Sequence, residues 1–429
     1  MQTKITRPPS ASSATVVLIG LFTLLACFAT IKFLGWFNDQ IPRAAIFCIF
    51  TTGGVIFALD FFWQKVHLRK STGLDFSQEN ASWARTLLKL VGLEVSIGFI
   101  ALLYWLFPEY HGDYYNNYWE LLRTIWPIWF CLSIPYFYFV DKKMLNPHDG
   151  FWHMGNLAFC SFAKVDFKII GQHLLGWLIK GFFLPLMFIY FCKDIHGLVS
   201  LDLSKIVSFK HFFDAFYDSI FLIDVGIVSM GYLLSLKLFD THIRSAEPTM
   251  TGWVVALICY DPFASIIGRN YFNYSTDYPW GAWLSGSPVA YVIWGSCILG
   301  LFCIYVWASV MFGCRFSNLT HRGILTNGPY RYSKHPAYIS KNLAWWMISI
   351  PFLAQEGFKV ALSKSLLLFA FNVIYFLRAK TEEANLSSDP VYVQYAEWME
   401  TNGLFAWVSG YPALKFLRYR KPGVQISKI

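Results

Sequence analysis

The chain has 429 residues, of which 56% are hydrophobic, 19% aromatic and only 14% charged, where an ordinary soluble domain has about 25% charged. A mean hydropathy of +0.43 and apolar runs of roughly 20 residues exclude a soluble globular fold and point to a polytopic membrane protein. The formal charge of +9 comes with no arginine-rich tail, RNA-binding signature or zinc-finger spacing, so it reads as basic loops beside anionic lipid and not as a nucleic-acid surface.

Lys4 and Arg7 precede an apolar run that begins near Val16, as in a signal sequence. The run is long and has no clear small-x-small cleavage site, which predicts an uncleaved first span. Ten candidate spans follow in chain order, at about 16–37, 44–63, 87–107, 124–140, 174–192, 219–239, 252–268, 288–313, 337–355 and 364–378. The expected fold is therefore all-α, a polytopic membrane protein of about ten transmembrane helices. Lys and Arg concentrate in the loops on the N-terminal side of this arrangement, which places both termini in the cytoplasm. The opposite loops, Pro108 to Glu120 and Tyr271 to Trp283, are rich in Tyr and Trp, as suits an interfacial belt.

The nine cysteines contain no C-x-x-C pair and lie mostly in apolar runs, so neither a disulfide framework nor a structural metal is expected. His148 and His153, in NPHDGFWHMGN, lack a third ligand at metal spacing. No repeat or linker divides the chain. The one seam lies near residue 287, between an N-terminal membrane domain (1–287, about seven spans) of unknown role and a C-terminal domain (288–429) of three spans. Glu94, Asp224 and Asp261 fall inside expected spans, where ionisable groups are costly. Asp261-Pro262 interrupts the seventh span and frees carbonyls that need a cavity or a partner. Lys89 lies about 140° round a helix from Glu94 and is poorly placed to pair with it. Either Asp261 and Glu94 line a head-group cavity, or each makes an interhelical pair.

The C-terminal domain carries two polar knots. The first, RGILTNGPYRYSKHPAY, runs from Arg322 to Tyr338 and holds Arg331, Lys334 and His335 between two Pro breaks. Pro336 suits the first turn of a helix, which sets His335 at its N-terminal edge, where free N–H groups and the nearby cations attract anions. The bland alternative is a positive-inside loop with interfacial tyrosines. The second knot, Arg378-Ala-Lys-Thr-Glu-Glu383, places Arg378 four residues before Glu382 on one helical face. Glu383 points about 100° away. The pattern lets one carboxylate pair internally while the other is free to hold a ligand ammonium. Tyr392, Tyr395 and Trp398 follow the Asp389-Pro390 break. On the ninth span, Tyr338, Asn342, Trp345 and Trp346 recur on one face, as an acceptor wall or as ordinary packing.

The series G-P-Y-R-Y-x-K-H-P-x-Y, then R-x-x-x-E-E-x-x-L, then Y-x-x-Y resembles the isoprenylcysteine carboxyl methyltransferase family over about 288–407. The region is also similar to membrane phospholipid N-methyltransferases. The resemblance implies a membrane enzyme that binds S-adenosylmethionine in a cytoplasm-facing pocket and methylates a lipid or lipid-linked acceptor from the bilayer side. It implies that Tyr330, His335, Pro336 and Tyr338 line the cofactor site, with backbone near Leu325 and Gly328, and that Glu382 and Glu383 form an acidic pair. Arg331, Arg378 and Tyr395 complete the candidate cofactor set; Asn342, Trp345, Trp346, Asp261 and Glu94 are the candidate acceptor contacts. No residue is assigned a catalytic role, no metal is expected, and protein partners are unspecified. Two departures from the family pattern stand out: Lys334 replaces the usual Arg, and Ser340 replaces a common Gly. The alternatives are an NADPH-dependent membrane sterol-type reductase and a non-enzymatic lipid-binding or transport protein.

Overall fold

The computed structural model describes residues 5–275 and 278–420. Lys4 and the last nine residues of the expected cytoplasmic tail lie outside them. The protein is 74% helical. Its helices are α1 (Ala14–Leu34), α2 (Ile41–Ala58, continued by a π turn Leu59–Trp63), α3 (Trp83–Leu106), α4 (Asn116–Lys143), α5 (Gly150–Ala158), α6 (Phe167–Ser200) and α7 (Phe209–Leu233). After them come α8 (Met250–Leu257), α9 (Phe263–Asn270), α10 (Trp280–Trp283), α11 (Pro288–Val310), α12 (Pro336–Ser349), α13 (Phe358–Leu386) and α14 (Pro390–Asn402). Two short strands, β1 (Ser245–Ala246) and β2 (Thr320–His321), pair antiparallel with Ser245 opposite His321.

Helix starts follow the sequence. Ser82, Asp149, Asp166, Ser208 and Asp389 each accept a backbone N–H from the first turn of α3, α5, α6, α7 and α14. Pro336 and Pro390 open α12 and α14, where a missing N–H costs nothing. The helices α1, α2 with its π turn, α3, α6, α7, α11 and α13 are long and apolar enough to cross a membrane. On α13, Leu362, Leu366, Phe369, Val373 and Leu377 form an exposed stripe at steps of three and four, a lipid-facing surface.

Three of the ten expected spans are not among these seven. α4 has 28 residues, but its middle is Trp, Tyr and two internal prolines, Pro127 and Pro135, and it falls short in hydropathy. The expected span at 252–268 breaks at Asp261-Pro262 into α8 and α9, each of 8 residues. α12 has 14 residues, about 21 Å of helix against the roughly 30 Å of a hydrocarbon core.

Packing is continuous across residue 287. One hydrophobic cluster joins Val16, Ile56, Phe191 and Met230 to Phe302, Leu325 and Ile350. The N-terminal segment straps the loop after α11: Thr326 Oγ1 donates to Pro8 O (2.8 Å), and Ser12 Oγ to Met311 O (2.7 Å). α3 and α5 pack backbone to backbone, since a Cβ on Gly92 would lie 1.9 Å from Phe151 O and one on Gly155 2.1 Å from Leu88 O.

Candidate functional site

The loop between α11 and α12 is built around Arg322, which is buried. Its guanidinium donates to Thr241 O (2.7 Å), Gly231 O (2.7 Å), Phe316 O (2.7 Å) and Cys314 O (2.8 Å), with a second, shorter bond to Thr241 O. Arg322 therefore clasps the end of α7 to the loop through carbonyls and has no donor left for a ligand. Burial pushes its pKa down to about 9, still above neutrality, so the guanidinium stays charged. Downstream, Gly328 turns the chain at φ +53°, and a Cβ there would meet the Met311 side chain at 2.6 Å. The turn brings Tyr330 under α14, where Tyr395 Oη donates to Tyr330 O (2.7 Å). Burial raises the Tyr330, Tyr392 and Tyr395 pKa values, so these phenols stay protonated.

The two knots meet. Glu383 is buried and faces three basic side chains: Lys334 (2.9 Å), Lys380 (2.9 Å) and His335 Nε2 (3.2 Å). Lys334 also reaches Glu400 of α14 (2.8 Å). Where the family pattern has Arg, this lysine works as a point charge between carboxylates on two helices. Glu382 is more exposed, at 30% of its side chain: Tyr338 Oη donates to it, Arg378 Nε stands 3.5 Å away and His335 Nδ1 3.9 Å away. Glu382 keeps the pair with Arg378 that its spacing predicts, while Glu383 is the more heavily surrounded by basic groups. The reason is three-dimensional: Lys334 and His335, from another part of the chain, converge on the face of α13 that carries Glu383.

Arg378 sits among the rings of Tyr338 (5.1 Å), Tyr260 (5.5 Å) and Tyr375 (5.9 Å) and donates to Asn318 Oδ1 (2.6 Å). Asn318 in turn donates from its backbone N and Nδ2 to Tyr232 Oη (2.8 and 2.9 Å). The His335 and Tyr338 rings stack, 5.6 Å apart and 4° from parallel. A cavity of about 170 Å³ opens here. Leu325, Tyr330, His335, Tyr338, Arg378, Glu382 and Tyr395 of the candidate cofactor set line it. Gly328, Arg331, Pro336 and Glu383 do not. Gly328 makes the turn, Arg331 points outward, Pro336 starts α12 and Glu383 is tied into the basic cluster. Four buried polar atoms on cavity residues, Arg315 Nε, Thr320 Oγ1, Arg378 Nε and Tyr392 Oη, have no hydrogen-bond partner among the described residues.

The candidate acceptor contacts separate. Trp345 packs on the cavity residue Tyr375 (5.3 Å). Asn342 and Trp346 both bind Asn372 of α13, Trp346 Nε1 at 2.6 Å. Asp261 accepts from Tyr190 Oη (2.8 Å) and from Ser265, and Glu94 lies on an exposed face of α3. Neither lines the cavity. Sequence reasoning missed Asn318, Tyr260, Tyr375 and Lys341, which do. Only Lys341, a lysine inside an apolar stretch, left a sequence signal. Among the described residues no three His, Cys, Asp or Glu side chains gather as a metal site would require.

Residues 289–388 match the model of the isoprenylcysteine carboxyl methyltransferase family. No curated protein and no solved structure matches the chain. The matched segment holds the basic loop, α12 and the Glu382-Glu383 pair. With the seven apolar helices, the match supports an integral-membrane methyltransferase.

Proposed function

We propose that this protein, whose residues 289–388 carry the isoprenylcysteine carboxyl methyltransferase family segment, transfers methyl from S-adenosylmethionine to a hydrophobic or lipid-linked acceptor at the cytoplasmic face. The observation that carries this reading is the convergence of both knots on one aromatic cavity lined by Glu382, Arg378 and Tyr392, where the Tyr392 hydroxyl has no hydrogen-bond partner among the described residues. When bound, the cofactor supplies an electrophilic methyl on a sulfonium. Glu382 would hold its ammonium, and Arg378 Nε would face its carboxylate. Tyr338 and Tyr375 offer ring faces to a cation. The cluster of Lys334, His335, Lys380 and Glu383 keeps α12 and α13 in register beneath them.

The lining chemistry suits the cofactor, while about 170 Å³ is below the roughly 300–1,000 Å³ of a pocket for a drug-sized ligand. The protein's part in the transfer is positioning, which brings donor and acceptor into line. A carboxylate acceptor, already ionised near pH 7, would need no general base. The positive-inside distribution of Lys and Arg supports a cytoplasmic cavity, and we assign the methyl-transfer unit to 288–429, around the matched segment 289–388.

Equilibrium binding of radiolabelled S-adenosylmethionine to the detergent-solubilised chain tests this. Saturable binding, weakened about tenfold or more by Glu382→Gln, is expected. NADPH binding in its place would instead favour a reductase. Mass spectrometry of membrane lipids after incubation with methyl-labelled cofactor should then show the label in the lipid fraction.

A further inference from the structure

The N-terminal helices line a second and far larger cavity, open on one side and of about 1480 Å³, between α2, α3, α4, α6 and the segment after α7. Its volume exceeds the roughly 300–1,000 Å³ of sites for drug-sized ligands. Along α3 the lining extends from Lys89 to Trp105, about 24 Å of helix. The walls are mostly aliphatic and aromatic, with Trp105, Trp119, Trp126 and Trp129 among them. That is a lining for hydrocarbon and not for a polar metabolite.

The charges on these walls do not balance. Two carboxylates line the cavity, Asp141 and Asp149, and both are engaged: Asp141 by Arg85 (2.7 Å) and Lys89 (2.8 Å), Asp149 by Lys89 (3.4 Å). Arg244 is paired with Asp240 (3.0 Å). Lys180 and Lys237 also line the cavity, and the ammonium of neither has a hydrogen-bond or ion-pair partner among the described residues. The contact recorded for the Lys180 ammonium is the Trp177 ring at 5.9 Å. Lys180 lies about 20 Å along α6 from its first residue, well inside a membrane-spanning helix. An unpaired ammonium at that depth is costly, and such groups mark ligand sites. His242 adds a buried Nδ1 without a partner on the same lining.

We infer that this cavity binds an anionic glycerophospholipid, its phosphate drawn by Lys180, Lys237 and His242 and its acyl chains against the tryptophan-lined wall. Charge complementarity selects this occupant: the surplus is cationic, the walls are apolar, and the surrounding solvent is a bilayer that supplies such lipids. The site is separate from the methyl-transfer cavity. The two have no lining residue in common, and they adjoin through Tyr232, which lines the large cavity and accepts hydrogen bonds from Asn318. The inference does not rest on the proposed methyl transfer.

The test is native mass spectrometry of the full chain released from nanodiscs of phosphatidylcholine with a minority of phosphatidylglycerol. Retained phosphatidylglycerol, enriched over its share of the bilayer, is expected. The Lys180→Gln/Lys237→Gln variant should lower that retention about tenfold, the scale of one or two charge-assisted contacts. Lys180→Arg/Lys237→Arg should keep it, which separates loss of charge from loss of fold. Equal retention of the two lipids, or enrichment unchanged in the Gln variant, overturns the inference.

Discussion

At the scale of single residues, the two neighbouring glutamates should behave as different kinds of group. Glu383 meets three basic partners in a buried cluster, so Glu383→Gln leaves Lys334, His335 and Lys380 short of a counter-charge. A fall in melting temperature, on the order of 3 kcal/mol of stability, is expected from breaking one side of such a cluster. Glu382, with 30% of its side chain exposed, should show the opposite split: cofactor affinity lost and melting temperature nearly unchanged. Measuring both quantities on both variants distinguishes a holding carboxylate from a ligand carboxylate. Arg322 makes a sharper case. Arg322→Met would leave the carbonyls of Gly231, Cys314, Phe316 and Thr241 without this donor. A loss of about 3 kcal/mol or more is expected, read as a lowered melting temperature, and Arg322→Lys should recover only part of it.

Elements carry a second class of prediction. The 3-10 turn at Gly328–Arg331 depends on a left-handed residue beside Met311. Gly328→Ala should destabilise the fold by about 1 kcal/mol, through backbone strain more than through the flexible methionine it meets. The joint between β2 and α14 is pH-sensitive. His321 Nε2 lies 2.9 Å from Asp389, the N-cap of α14, with Arg244 also 4.0 Å from that carboxylate. Burial, reinforced by Arg244, holds the His321 pKa below its ordinary value of 6.5, against the upward pull of Asp389 and Asp240. The folded state therefore binds this proton less readily than the unfolded one. Its contribution to stability is complete above about pH 6.5 and is lost as pH falls through the depressed folded value. The melting temperature should drop on acidification below about pH 6.5, and His321→Gln should flatten that part of the profile.

For the molecule as a whole, the prediction is topological. With α4, α8–α9 and α12 counted as crossings beside the seven apolar helices, the distribution of Lys and Arg predicts that the loops after α7, α11 and α13 face the cytoplasm, with the exposed residues Ser388 and Asp113 on opposite faces. In a background without the native exposed cysteines, Ser388→Cys should react with a membrane-impermeant maleimide only from the cytoplasmic side. Asp113→Cys should react only from the other side. Labelling of Ser388→Cys from outside would reverse the proposed orientation.

The amino-acid sequence by itself determined that the chain is an α-helical membrane protein, because apolar runs of bilayer length are a local property. It also determined which short stretches are chemically unusual. Arg322–Tyr338 and Arg378–Glu383 stand out against apolar flanks, and their motifs pointed to the family that residues 289–388 match. Span number was less legible: α4, α8 with α9, and α12 depart from an unbroken apolar span by interruption, composition or length, and whether such segments cross depends on how they pack. Only the tertiary structure decided which side chains share a cavity. Asn318, Tyr260 and Tyr375 come from three separate segments and meet at Arg378, and no spacing along the chain encodes that. It also set the different surroundings of the two glutamates. A residue's freedom to bind depends on what distant cations have already claimed, and here Lys334 and His335 claim Glu383 and leave Glu382 facing the cavity.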